Sequence, residues 1–164
     1  MPPYKLSAML QKELEDVIRV AVKDTFRELF GVETLECHSA GDVNTDSALF
    51  CKVDLYQENT KACLCFGFDR DLIHSLVVKL YPPEVLSDNQ AYDDTACEIA
   101  NIVCCSVKAC LNRNGYDLTM DIPYSYVAGS KEELDEMTHI LFSHKDKDFC
   151  VDFFMGNQMP GAQA

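Results

Sequence analysis

A chain of 164 residues, 48% apolar and 25% charged, matches one globular domain with one core. Its 27 acidic and 14 basic side chains leave a net charge of −13, which repels phosphate backbones and anionic membrane surfaces. With no Lys/Arg cluster to offset that repulsion, the surface suits a partner offering a local positive feature, a lysine or a metal ion.

The opening Met1-Pro2-Pro3-Tyr4-Lys5 lacks the basic-then-apolar pattern of a secretory signal, and no apolar run approaches the ~20 residues that cross a bilayer. A cytoplasmic protein is expected. The first element is predicted as a helix over Leu6–Phe30, with Leu10, Leu14, Val17, Ile18, Ala21, Phe26 and Leu29 in an apolar stripe. Glu15 and Arg19 form an i,i+4 pair on its outer side, and Gly31 supplies the stop. A short strand over Val32–Cys37 and a polar turn through Gly41, Asp42 and Asn44 follow. Leu49–Tyr56 and Lys61–Phe68 read as a hairpin joined by Gln57-Glu58-Asn59-Thr60. A short helix over Arg70–Leu80 takes Asp69 as N-cap, with Phe68 and Ile73 at the staple positions, and Pro82-Pro83 ends it.

Ser87-Asp88-Asn89-Gln90 has the form of a capping box, and no Pro or Gly interrupts the chain until Gly115. The resulting helix of about 26 residues would be ~39 Å long. Beyond it, Asp117–Asp121 and Tyr124–Val127 form one edge strand interrupted at Pro123. Lys131–Glu136 reads as a solvated loop. Met137–Ser143 and Phe149–Met155 pair around Lys145-Asp146-Lys147-Asp148, with Phe149, Val151, Phe153 and Met155 on one face. Residues 1–156 are expected to be one domain, and 157–164 a flexible tail. The class is α+β: an antiparallel sheet of about six strands from hairpins, packed with two long helices and one short helix.

Nine cysteines invite a metal or redox reading, but no CxxC pair occurs, and Cys104-Cys105 is not a zinc-ligand spacing. Cys51 alternates with Val53 and Leu55, and Cys110 lies among helix-core positions, so both read as small buried hydrophobes. His38, His74, His139 and His144 are scattered and have no evident partner.

At ~100° per residue, the long helix separates two stripes. Ala96, Ile99, Ala100, Val103, Val107, Cys110 and Leu111 face the core; Asp94, Glu98, Asn101, Cys105, Lys108 and Asn112 face away. A polar outer face needs no special explanation. Asp94 and Glu98, however, are a like-charge i,i+4 pair, and Asn101 has poor helix propensity where Ala, Lys or Glu would serve.

Asp94-x3-Glu98-x2-Asn101, followed by Pro123 after 21 intervening residues, resembles the signature of the CheC/CheX/FliY phosphatases: Asp or Ser, three residues, Glu, two residues, Asn, then a Pro at nearly the same remove. The order of elements from Leu6 to Met155 is similar as well. The resemblance implies hydrolysis of the aspartyl phosphate of a CheY-like response regulator. Neither other helix carries a second Glu-x2-Asn: Glu13 leads to Asp16, Glu15 to Ile18 and Glu28 to Gly31. One site per chain looks most like CheX, a branch expected to form a homodimer through its sheet.

Such a reaction is compatible with these side chains. An acyl phosphate already has a carboxylate leaving group, so what remains is to place a water in line and stabilise phosphoryl charge. The resemblance gives the second task to the regulator, which supplies Mg²⁺ and a lysine; no cofactor belongs to this chain. Asn101 would position the attacking water, and Glu98 would pair with the regulator's lysine. Asp94 would support docking or orient the surroundings of Glu98, and Cys105 would be a further partner contact. Pro123 is a structural marker. The competing readings are a non-catalytic regulator-binding module of the same fold, and a thiol or metal protein, which the cysteine spacing disfavours.

Overall fold

The computed structural model describes residues 6–33, 35–38, 48–86, 89–126 and 135–157. Helix α1 spans Ala8–Phe30; the Ser7 hydroxyl accepts from the Leu10 N–H at its start, and Gly31 closes it at φ 68°. That left-handed backbone is the conformation glycine adopts without penalty. Leu10, Leu14, Ile18, Ala21 and Phe26 are buried as the periodicity requires, whereas Val17 and Leu29 lie partly buried at the margin. Arg19 and Glu15 stand 4.0 Å apart on the outer side.

Strand β1, Glu36–His38, is shorter than the sequence predicts and lies at the C-terminal end of the predicted run. Strands β2 (Ala48–Gln57) and β3 (Thr60–Asp69) form the expected hairpin, turning at Asn59 with φ 62°. Helix α2 covers Arg70–Leu80, its N-cap Asp69 accepting from the Asp71 and Leu72 N–H groups. Helix α3 covers Asn89–Arg113. Ser87 and Asp88 of the proposed capping box lie outside the described residues, as do the turn at residues 41–44 and most of the charged run at 131–136.

Strands β4 (Thr119–Met120) and β5 (Tyr124–Tyr126) both pair with β2, so the interrupted edge strand is present. Strand β6 (Asp135–His144) begins inside the segment expected to be a loop: Asp135 and Glu136 pair with Met155 and Phe154. Strand β7 (Lys147–Asn157) likewise runs beyond Met155, Asn157 pairing with Thr60. Lys145 and Asp146 turn the second hairpin, both at positive φ, as a two-residue turn of primed type requires.

The sheet has seven strands in the order β1-β6-β7-β3-β2-β4, with β5 also on β2. That order exchanges the two halves of the chain. Each half begins with a long helix and ends its strands in a hairpin, with β1 between them in the first half and β4 and β5 in the second, and these short strands pair with the other half's hairpin. The halves therefore interlock along β3 and β7, whose ladder runs from Thr60↔Asn157 to Phe68↔Phe149.

Inward residues of that ladder pack with the helices in one core. Phe149 is stacked on Phe26 of α1 at 5.0 Å, on Phe142 at 5.0 Å and near Phe68 at 5.3 Å. Against the same sheet face, α3 buries Ala96, Ile99, Ala100, Val103, Val107, Cys110 and Leu111 completely. With so much of its surface fixed, the helix holds its opposite side in one orientation. No helix among the described residues is long and apolar enough to cross a membrane.

Candidate functional site

Opposite the buried stripe of α3 lies an open cleft of about 710 Å³. One wall is the N-terminal half of α3, presenting Asp93, Asp94, Cys97, Glu98 and Asn101; the other is the segment from Met120 to Ser125. Asp94, Glu98, Asn101 and Pro123, singled out from sequence, thus line one cavity. Cys105 does not line it. It is exposed one turn beyond Asn101.

The second wall owes its position to contacts far apart in sequence. The Asp121 N–H donates to the Asp54 carbonyl at 2.9 Å, and the Tyr124 hydroxyl donates to the Asp54 carboxylate at 3.2 Å. Across the cleft floor, the Ser125 hydroxyl donates to the Asp93 carboxylate at 3.1 Å, tying β5 to α3. Between the short strands β4 and β5, residues 121–123 have no ladder partners. Pro123 has no N–H to give to a ladder, which suits this break at a sheet edge. Ile122, between the two strands, is 84% exposed.

Asp94 accepts from Gln90 Nε2 at 2.7 Å. That hydrogen bond from an uncharged amide gives the Asp94 carboxylate a partner beside its like-charge neighbour Glu98. Glu98 is exposed and Asn101 half-buried, and neither side chain makes a hydrogen bond with another described residue. Four carboxylates (Asp93, Asp94, Glu98, Asp121) and no Lys, Arg or His line the cavity among the described residues. Such a site repels a free phosphoryl group and attracts a cationic one.

Beneath this surface, the Cys97 and Cys51 sulfurs approach to 3.2 Å. The Cys51 thiol is pushed up by its hydrogen bond with Cys97 and by burial. The Cys97 thiol is drawn down, chiefly by the same hydrogen bond, against burial and the carboxylates of Asp93 and Asp94. No group of three or more His, Cys, Asp or Glu side chains among the described residues is arranged to hold a metal. Two of the four histidines have described partners: His74 Nδ1 and the Tyr92 hydroxyl are 2.7 Å apart, and His139 pairs with Asp152.

Asp93, Cys97, Ser125 and Ile122 are cleft residues that the sequence reading did not select. Asp93, Cys97 and Asn101 follow at i, i+4 and i+8, so a broader helical arc would have found the first two. Ser125 and Ile122 carry no local signal, because their placement depends on Asp93 and Asp54.

No family profile and no curated protein matches the chain. Solved structures do. A chemotaxis protein CheX from Vibrio vulnificus superposes with a TM-score of 0.70 at 16% identity, covering 88% of this chain and 97% of that one. A CheX–CheY–BeF3–Mg²⁺ complex from Borrelia burgdorferi gives 0.69 at 17% identity, over 87% and 97% of the two chains. A putative chemotaxis protein from Desulfovibrio vulgaris Hildenborough gives 0.71 at 13% identity, over 87% and 96%. The chain has the CheC/CheX fold.

Proposed function

We propose that the protein is a phosphatase acting on the aspartyl phosphate of a CheY-like response regulator. The observation that carries the reading is the pairing of Glu98 and Asn101, one helical turn apart, on one wall of an open acidic cleft. A protein of the same fold forms a complex with CheY in the Borrelia structure, which supports a regulator as the partner. Fold alone does not specify a reaction; the side chains of the cleft do.

The acidic lining assigns the labour. Among the described residues no Lys, Arg or His lines the cleft, and in this reading the regulator supplies its own Mg²⁺ and lysine to neutralise the phosphoryl oxygens, as the resemblance implies. Glu98 receives that lysine and sets the helix in register. Asn101, uncharged, approaches the phosphoryl group without repulsion and holds a water in line. Asp94, oriented by Gln90, and Cys105, further along the helix, border the docking surface. The test is loss of phosphoryl group from a phosphorylated CheY-like regulator with and without the chain. Acceleration supports the reading; tight binding without acceleration identifies a non-catalytic binding module instead.

Ile122 is placed to act as an apolar anchor on the wall facing Glu98. Ile122→Asp is expected to raise KM or Kd for the regulator by about tenfold or more, the scale of removing a buried interface anchor, with kcat little changed. Steady-state kinetics over a range of regulator concentrations separates the two. A fall in kcat at unchanged KM would remove Ile122 from the docking surface.

The protein is also proposed to be a homodimer joined through its sheet, as the resemblance to CheX implies. Sedimentation equilibrium at micromolar concentration should give twice the chain mass of 18.5 kDa. A single-chain mass over that range contradicts it.

A further inference from the structure

The contact between Cys51 and Cys97 joins a fully buried sulfur to one that opens into the cleft. Cys51 points from β2 into the core with no exposed surface. Cys97 is half-buried, lines the cavity and immediately precedes Glu98 on α3. Their sulfurs are 3.2 Å apart, and a disulfide requires ~2.05 Å, so closure needs an approach of ~1.1 Å between two side chains already in contact. Cys63 and Cys65 have sulfurs 3.9 Å apart, but they are two residues apart on one strand, a separation that strains a bridge. Cys104 and Cys110 are buried without a described thiol contact.

From this geometry we propose that Cys97 and Cys51 are a dithiol oxidised by small neutral hydroperoxides, with Cys97 the attacking sulfur and Cys51 the resolving one. The Cys97 thiolate attacks one peroxide oxygen; the S–O bond forms, the O–O bond breaks, and the other oxygen leaves with a proton as water or an alcohol. The Cys51 sulfur then displaces the sulfenic oxygen, the S–S bond forms, and a second water departs carrying the Cys51 proton. Two thiols lose two electrons, and one peroxide gains them.

The surroundings select the oxidant. The contact with Cys51 favours the Cys97 thiolate, while Asp93 and Asp94 oppose it. Those carboxylates, with Glu98 and Asp121, also repel anionic reagents from the cavity, which a neutral peroxide enters freely. The bridge would fasten α3 to β2 beside Glu98. Exposed Cys105 has no such resolving neighbour described and serves as an internal comparison.

The experiment treats the full chain with hydrogen peroxide, alkylates the remaining thiols, and maps cysteine-containing peptides by mass. A bridge joining the Cys51 and Cys97 peptides, reversed by a dithiol reductant, is expected. In Cys51→Ala the reaction should stop at Cys97 sulfenic acid, captured by a cyclic 1,3-diketone. Should that variant fail to fold, Cys97→Ser provides the complement, leaving Cys51 reduced under the same treatment. Cys97 remaining fully alkylatable while Cys105 is oxidised would overturn the proposal, as would pairing of Cys97 with any other cysteine. None of these readouts requires a regulator, so the result stands apart from the phosphatase reading.

Discussion

Asn101→Ala is expected to abolish most of the acceleration of regulator dephosphorylation while leaving the protein at least as stable. Asn101 sits within α3, where Asn is a poorer helix former than Ala by about half a kcal/mol. Its side chain makes no hydrogen bond with another described residue that the substitution would break. Thermal unfolding should therefore show an unchanged or slightly higher midpoint. Chemistry should move the other way. Loss of a preorganised group that holds a reacting water removes on the order of 10²–10³ in rate, about 3–4 kcal/mol. Affinity for the phosphorylated regulator should stay near that of the wild type, because Glu98 and Ile122 remain. Measured together, kcat, Kd and the unfolding midpoint separate a catalytic residue from a structural one. A proportional fall in rate and affinity would make Asn101 a docking residue only.

Glu98→Lys carries the second large effect, and here affinity is the quantity that moves. The residue is exposed in the free chain, and its removal relieves the like-charge neighbour Asp94, so folding should be nearly indifferent to the change. In the proposed complex a regulator covers the cleft, and the same side chain loses its water. A lysine there would face the partner's lysine. Breaking a desolvated interfacial charge pair costs about 2–5 kcal/mol, which corresponds to ~30-fold or more in Kd. Glu98→Gln should lose less, since a hydrogen bond survives without the charge. Titration of labelled regulator with the three proteins ranks them, expected as Glu tighter than Gln, and Gln tighter than Lys. Equal affinities across the series would remove Glu98 from the interface.

What could be read from the sequence follows from how local the signals are. Helix α3 is an uninterrupted helical period between Asn89 and Arg113, so its core stripe and its outer stripe could be separated by angle alone. The β7 alternation of Phe149, Val151, Phe153 and Met155 was equally plain, because all four residues are buried in the sheet's inner face. Asp135 and Glu136 misled because charge was taken to mean loop. Their ladder to Met155 and Phe154 needs only backbone groups, and an irregularity before Thr138 accommodates them at the strand's start. No repeat is visible in the amino-acid sequence, yet the halves interlock; pairings such as Cys37↔Phe142 are set by tertiary burial. The cleft's second wall was hidden for a similar reason. Tyr124 reaches Asp54 across 70 residues, and Ser125 reaches Asp93 across 32, so Pro123 could be recognised as a marker but not as part of a wall.

The central claim is that this chain turns over a phosphorylated regulator, and substoichiometric turnover tests it most directly. A CheY-like regulator is phosphorylated, freed of excess phosphodonor and mixed with one-twentieth its concentration of chain (about that ratio suffices to resolve turnover from binding), with phosphate release followed over time. The account predicts release well beyond one equivalent per chain, at a rate proportional to chain concentration. Release that keeps to the regulator's own spontaneous rate, while the complex forms, would contradict it.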